Sequence, residues 1–140
     1  MRTRTKFTPE HWEKINLRIE RTRKNLSSKP SRHELDDAVI DLWICGEYLI
    51  NVCLETNGRK ECTNHTHHKH ARDLKALGEL ESDYYKTLEM LQRFRKIAGY
   101  LGYSKSNSDH YNSIALNGCL ADIEALFKET ERKLKAQELL

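Results

Sequence analysis

Two stretches of the 140-residue chain hold side chains able to do chemistry. The first is Cys62-Thr63-Asn64-His65-Thr66-His67-His68-Lys69-His70, with Cys53 nearby in sequence. Zinc takes Cys and His in tetrahedral sets, usually as two close pairs on separate segments. A second pair is missing here, because Cys53 belongs to an apolar helix face and no other Cys/His pair follows. The spacing predicts a polar loop running into a helix, with no metal site and no cofactor. The second stretch is Gln92-Arg93-Phe94-Arg95, leading into Lys96-Ile97-Ala98-Gly99-Tyr100-Leu101-Gly102-Tyr103. Arg95 falls four residues after Leu91 and three before Ala98, so helical spacing places it on the apolar face. A guanidinium there needs a carboxylate, a phosphate or several carbonyls. Glu47 is the candidate within the protein; a ligand phosphate or a nucleic-acid backbone is the other. Tyr100 follows, and Tyr103 lies roughly in line with Arg95.

Trp43, Glu47 and Asn51 stand four residues apart and share one helix face beside an apolar stripe. If Glu47 and Asn51 are buried they need partners, since an unpaired buried polar group costs about 1–3 kcal/mol. Other chemistries find no support. The chain has no Gly-x-Ser-x-Gly, no Gly-rich phosphate loop and no His-Glu-x-x-His. The paired carboxylates Asp36-Asp37 and Glu79/Glu81/Asp83 fall near expected helix starts, where the helix dipole favours negative charge.

The elements that position these residues are helices. Two prolines and six glycines leave few breakers, which predicts a few long helices. Thr8 caps a first helix with Pro9 in its first turn, and Trp12, Ile15, Ile19 and Leu26 form its stripe. Ser31 and Glu34 make a capping box for a second helix that ends at Asn57-Gly58. A shorter helix over roughly 66–77 closes at Gly78. Ser82 is expected to cap a fourth helix, buried through Leu88, Leu91, Phe94, Ala98 and Leu101. After a break at 103–108, Ser108 is expected to cap a last helix carrying Ile114, Ala121, Ile123, Leu126, Phe127 and Leu134. Its charged final third is expected to project or fray. The fold class is all-α: a single domain over 1–140, an antiparallel bundle of about five helices with short loops.

Residues 1–32 hold ten Lys/Arg against three Glu, so they carry +7 of a total +3 and the remainder carries −4. Such asymmetry suits either a solvated helix face or a basic surface for RNA, DNA or an acidic partner. No apolar run reaches the roughly 20 residues of a membrane span, and the N-terminus lacks a signal-peptide core. The expected location is cytoplasmic, with Cys45, Cys53, Cys62 and Cys119 as reduced thiols.

Three segments resemble the HEPN superfamily of small prokaryotic α-helical proteins. They are Ala38–Asn51, with small and acidic residues in mid-helix; Gly78–Leu91; and Arg95-Lys96-Ile97-Ala98-Gly99-Tyr100. The likeness spans roughly residues 35–130. It implies a homodimer, in many members a metal-independent ribonuclease of toxin–antitoxin or antiviral-defence type. In those members Arg-x(4–6)-His motifs from two subunits meet at the interface. Arg95 takes the arginine position, but residues 100, 101 and 102 are Tyr, Leu and Gly. Tyr, with a reference pKa near 10, is a poorer general base than His. The resemblance therefore implies a HEPN-like dimer that binds RNA, a nucleotide or a protein partner without cleavage. A cognate antitoxin or nucleotidyltransferase is the implied protein partner; Arg95 is the binding residue the resemblance supplies, and Tyr103, Glu47 and Asn51 join it as candidate binding residues from their places on the helix faces. One alternative is an active ribonuclease with Arg95 and Tyr100, or His110, as catalytic residues. Another is a structural or regulatory bundle unrelated to HEPN.

Overall fold

Thr8 and Pro9 open the first helix as the sequence predicts. In the computed structural model, which describes residues 7–101 and 111–140, α1 runs Pro9–Leu26. The Thr8 side chain accepts from the His11 amide, satisfying one of the donors a helix start leaves open. α2 spans Arg32–Thr56 behind a complete capping box. The Glu34 amide donates to Ser31 Oγ at 3.2 Å, and the Ser31 amide donates to Glu34 Oε1 at 2.9 Å. Gly58, at φ +74°, supplies the left-handed residue that turns the chain away after α2. α3 is His67–Ala76, closed by Gly78 at φ +78°. α4 is Tyr85–Lys96, and its winding widens into a π-helical turn over Ile97–Leu101. α5 is Ser113–Ala136. Among the described residues these five helices form an all-α bundle with no strand.

α2 is the spine, touching α1, α3, α4 and α5. Ala38, Val39, Leu42, Cys45, Leu49, Ile50 and Cys53 are fully buried along it. Each large apolar side chain so buried contributes about 1.5–3 kcal/mol. Gly46 sets the approach of α4: a Cβ there would stand 2.5 Å from Leu88 Cδ2. This close contact brings the α2 face that carries Trp43 and Glu47 against α4. No helix among the described residues is long and apolar enough to cross a membrane.

The structure departs from the sequence reading at several places. Ser82 does not cap α4; the helix starts at Tyr85, after Tyr84 has turned inward. The Tyr84 hydroxyl donates to the buried Glu129 carboxylate, which also accepts from the Glu81 amide at 2.7 Å. A buried carboxylate on α5 thus draws the 79–84 link onto the bundle. α5 begins behind Asn112, whose side chain accepts from the Ala115 amide at 2.9 Å. Ser108 lies outside the described residues. Finally, the charged end of α5 does not fray, because Thr130 and Leu134 pack inward beside Glu129. Ile114, expected in the core, is 83% exposed, and Ala121 is exposed as well.

Candidate functional site

One face of α2 carries Trp43, Glu47 and Asn51, and the structure gives each a different neighbour. Asn51 clamps the loop that returns toward α3. Its Oδ1 accepts from the Cys62 amide at 2.8 Å, and its Nδ2 donates to the Cys62 carbonyl at 3.4 Å. Two bonds from one carboxamide to the backbone of one residue fix the loop against the helix. Downstream, Asn64 Oδ1 accepts from Thr66 Oγ1 at 2.6 Å and from the Cys62 thiol at 3.2 Å. His65 then adopts φ +60°, a region that costs most non-glycine residues about 1 kcal/mol or more. That turn carries its ring back over α2.

As a result, two histidines meet Glu47. His65 Nδ1 lies 3.2 Å from both carboxylate oxygens, and His67 Nδ1 lies 3.0 Å from Oε2. His65 is half exposed, whereas His67 is buried at the first position of α3. The His67 contact is close but off the hydrogen-bond direction, so among the described residues neither buried ring nitrogen completes a hydrogen bond. Burial pushes the Glu47 carboxyl up; His67 and then His65 outweigh it and hold the group below the ordinary glutamate value. Trp43, His68, Leu88 and Gln92 form the rest of the pocket wall, with the indole N–H donating to Gln92 Oε1 at 2.9 Å.

Arg95 reaches this cluster from α4. Its guanidinium carbon lies 4.4 Å from the centre of the Trp43 ring, and the His65 ring packs on the same indole at 5.6 Å. Arg95 is half-buried and sits two residues before the π-helical segment. The structure therefore assembles Trp43, Glu47, His65, His67, Gln92 and Arg95 from α2, the 57–66 loop, α3 and α4. Of the residues expected from sequence, Arg95 and Glu47 belong to this assembly, and Asn51 holds the loop beside it through the Cys62 backbone. Glu47, the carboxylate matched to Arg95 by sequence reasoning, meets the two histidines. Tyr103, His110 and the Tyr100 side chain lie outside what the structure describes. Sequence reasoning missed His65, His67 and Gln92. A search for Cys/His pairs does not include a carboxylate from another helix.

The basic N-terminal third is partly neutralised. Asp41, on α2 and buried, accepts from Arg18 Nη1 at 2.7 Å and from Arg21 Nε and Nη2 at 2.8 and 2.6 Å. Arg23 pairs with Glu124 on α5 at 2.5 Å. Three of its arginines thus tie α1 to the bundle.

No family model, curated protein or solved structure matches the chain. Function must therefore be argued from the site itself.

Proposed function

We propose that the chain is a HEPN-like domain that binds RNA at the Trp43–Arg95 ledge and does not cut it. The observation that carries this reading is the Arg95 guanidinium over the Trp43 ring, at the position where the resemblance puts the motif arginine. A guanidinium is a planar, permanently charged group whose geometry matches a phosphate, and it packs favourably on an indole. A tryptophan beside it suits a nucleobase, since stacking on an aromatic contributes about 1–3 kcal/mol per base. The absence of a histidine at 100–102 argues against cleavage. So does the engagement of His65 and His67 with Glu47. The half-buried apolar residues Ile44, Ile97 and Ala98 suit a second subunit, as the HEPN resemblance implies. In this reading the domain works as a cytoplasmic homodimer of toxin–antitoxin or antiviral-defence type.

A second reading has one observation in its favour. His65 touches the same indole as Arg95, so an arginine and a histidine stand on one aromatic platform. That pair could serve a metal-independent ribonuclease.

Fluorescence anisotropy with a labelled single-stranded RNA tests the first reading. Binding should weaken steeply with added salt, and Arg95→Ala should lose about tenfold or more in affinity, equivalent to about 1.4 kcal/mol. Unchanged affinity in Arg95→Ala would overturn it. The same RNA incubated in EDTA should remain intact; cutting that disappears in both Arg95→Ala and His65→Ala would replace it with the second reading.

A further inference from the structure

We propose that Glu47, His65 and His67 form a binding site for a first-row divalent transition metal ion, with zinc as the reference ion. The three side chains come from α2, the 57–66 loop and the start of α3, and each offers one ligand atom. These atoms all lie within 4.8 Å of one another. Zinc binds imidazole nitrogen and carboxylate oxygen at about 2.0–2.2 Å, so two ligand atoms at a tetrahedral angle stand about 3.3 Å apart. The contacts of Glu47 to His65 at 3.2 Å and to His67 at 3.0 Å are close to that edge length. The remaining edge, between the two imidazoles, is within 4.8 Å.

Hydrogen bonding alone accounts poorly for the arrangement. His65 Nδ1 sits equally far from both carboxylate oxygens, longer than a well-directed charge-assisted bond. His67 is 4% exposed, and among the described residues neither of its ring nitrogens completes a hydrogen bond. A buried imidazole facing a carboxylate without a directed bond to it is costly unless something else takes up a nitrogen lone pair. A cation between the three groups does so and neutralises the carboxylate. The site also has outer support. Asn51 fixes the loop that delivers His65, and the Trp43–Gln92 bond holds the pocket wall. With three protein ligands the fourth position is left to water or an exogenous ligand, the pattern of an open site. The ligand set is nitrogen and oxygen, which suits zinc, cobalt or nickel better than calcium or magnesium.

The proposal stands apart from the RNA reading and is tested separately. Tag-free protein, stripped with chelator, is titrated with Zn2+ against a chromophoric competitor and with Co2+ by visible absorption. The expected result is one equivalent bound, with a tetrahedral or five-coordinate cobalt spectrum and a raised melting temperature. Both His65→Ala and Glu47→Gln should weaken binding by at least about 100-fold, more than loss of an outer-shell partner. His65 is half exposed, so its variant keeps the fold, checked by far-UV circular dichroism. The control is His70→Ala, outside the pocket that Glu47, His65 and His67 line, which should bind like the parent. No binding at 100 µM metal overturns the proposal. So does binding that survives His65→Ala and Glu47→Gln, or that is lost in the His70 control, because either result places the ion elsewhere on the histidine-rich segment.

Discussion

The Asp41 knot joins the basic first helix to the spine, and its two sides should respond unequally to mutation. The Asp41 side chain is 3% exposed, whereas those of Arg18 and Arg21 are 35% and 58% exposed. Asp41→Ala removes three charge-assisted hydrogen bonds, but both guanidinium groups can turn to water. The net cost should be only about 1–2 kcal/mol, well below the full value of three such bonds. Removing both arginines together leaves a carboxylate buried between α1 and α2 with its charge unpaired. Breaking a buried pair from that side typically costs about 3–5 kcal/mol. Arg21→Ala alone should cost about 1 kcal/mol or less, since Arg18 still reaches Asp41 and the Arg21 side chain is mostly in solvent. Urea unfolding followed by far-UV circular dichroism gives these differences directly, provided the slope of free energy against urea is unchanged. The expected order is double arginine variant least stable, then Asp41→Ala, then Arg21→Ala. If Asp41→Ala costs as much as the double variant, the cost lies in the arginines' lost partner and not in a stranded carboxylate. If the double variant costs under about 1.5 kcal/mol, water reaches Asp41 and the knot is a surface feature.

Two further outcomes follow from buried titratable groups. Cys45 and Cys119 are buried, and burial pushes their thiols up to about 12 and about 11. At pH 8 the native protein should therefore react with an aromatic disulfide reagent at these two positions only as fast as it opens, while all four cysteines should react at once in denaturant. The Tyr84 hydroxyl is raised by burial and then by its bond to Glu129. Its stabilising effect is fully present below the unfolded tyrosine value near pH 10 and is lost as pH rises through the folded value. Tyr84→Phe should cost about 1–3 kcal/mol at pH 7, and its stability should fall less steeply than the parent's above pH 10; parallel decline in both proteins would show that Tyr84 does not contribute this term.

The helices were legible because their signals are local. Thr8-Pro9, the Ser31/Glu34 box and the glycines at 58 and 78 act within one turn of themselves, so a sequence pattern is enough to place them. The α4 start was not legible, because Ser82 is a good capping residue that loses to a distant contact. The buried Glu129 carboxylate takes both the Glu81 amide and the Tyr84 hydroxyl, and helix winding begins only after that pair of bonds is made. The same contact holds down the charged end of α5. Mean polarity made that end look solvated, yet one face of it carries Thr130 and Leu134 into the core.

The site divides along the same line. Trp43, Glu47 and Asn51 could be grouped from helical spacing alone, and Arg95 from its place on an apolar face. Nothing in the spacing of Cys62–His70 shows which of its histidines turn inward. That choice is made by Asn51, which grips the Cys62 peptide, and by the left-handed backbone at His65, which reverses the ring toward α2. Asn51 therefore links the two halves of the sequence reading: the polar residue that needed a partner on α2 finds it in the loop that looked merely polar. Its test is built into that role. Asn51→Ala releases the loop without touching any proposed metal ligand, so if the inference is right it should weaken metal binding by about 10–100-fold, as outer-shell changes do. The contact of Arg95 with Trp43, made from α4, should persist, and RNA affinity with it. A variant that lost both together would mean that the loop and the Trp43–Arg95 ledge are one mechanical unit, and that the two sites cannot be assigned separately.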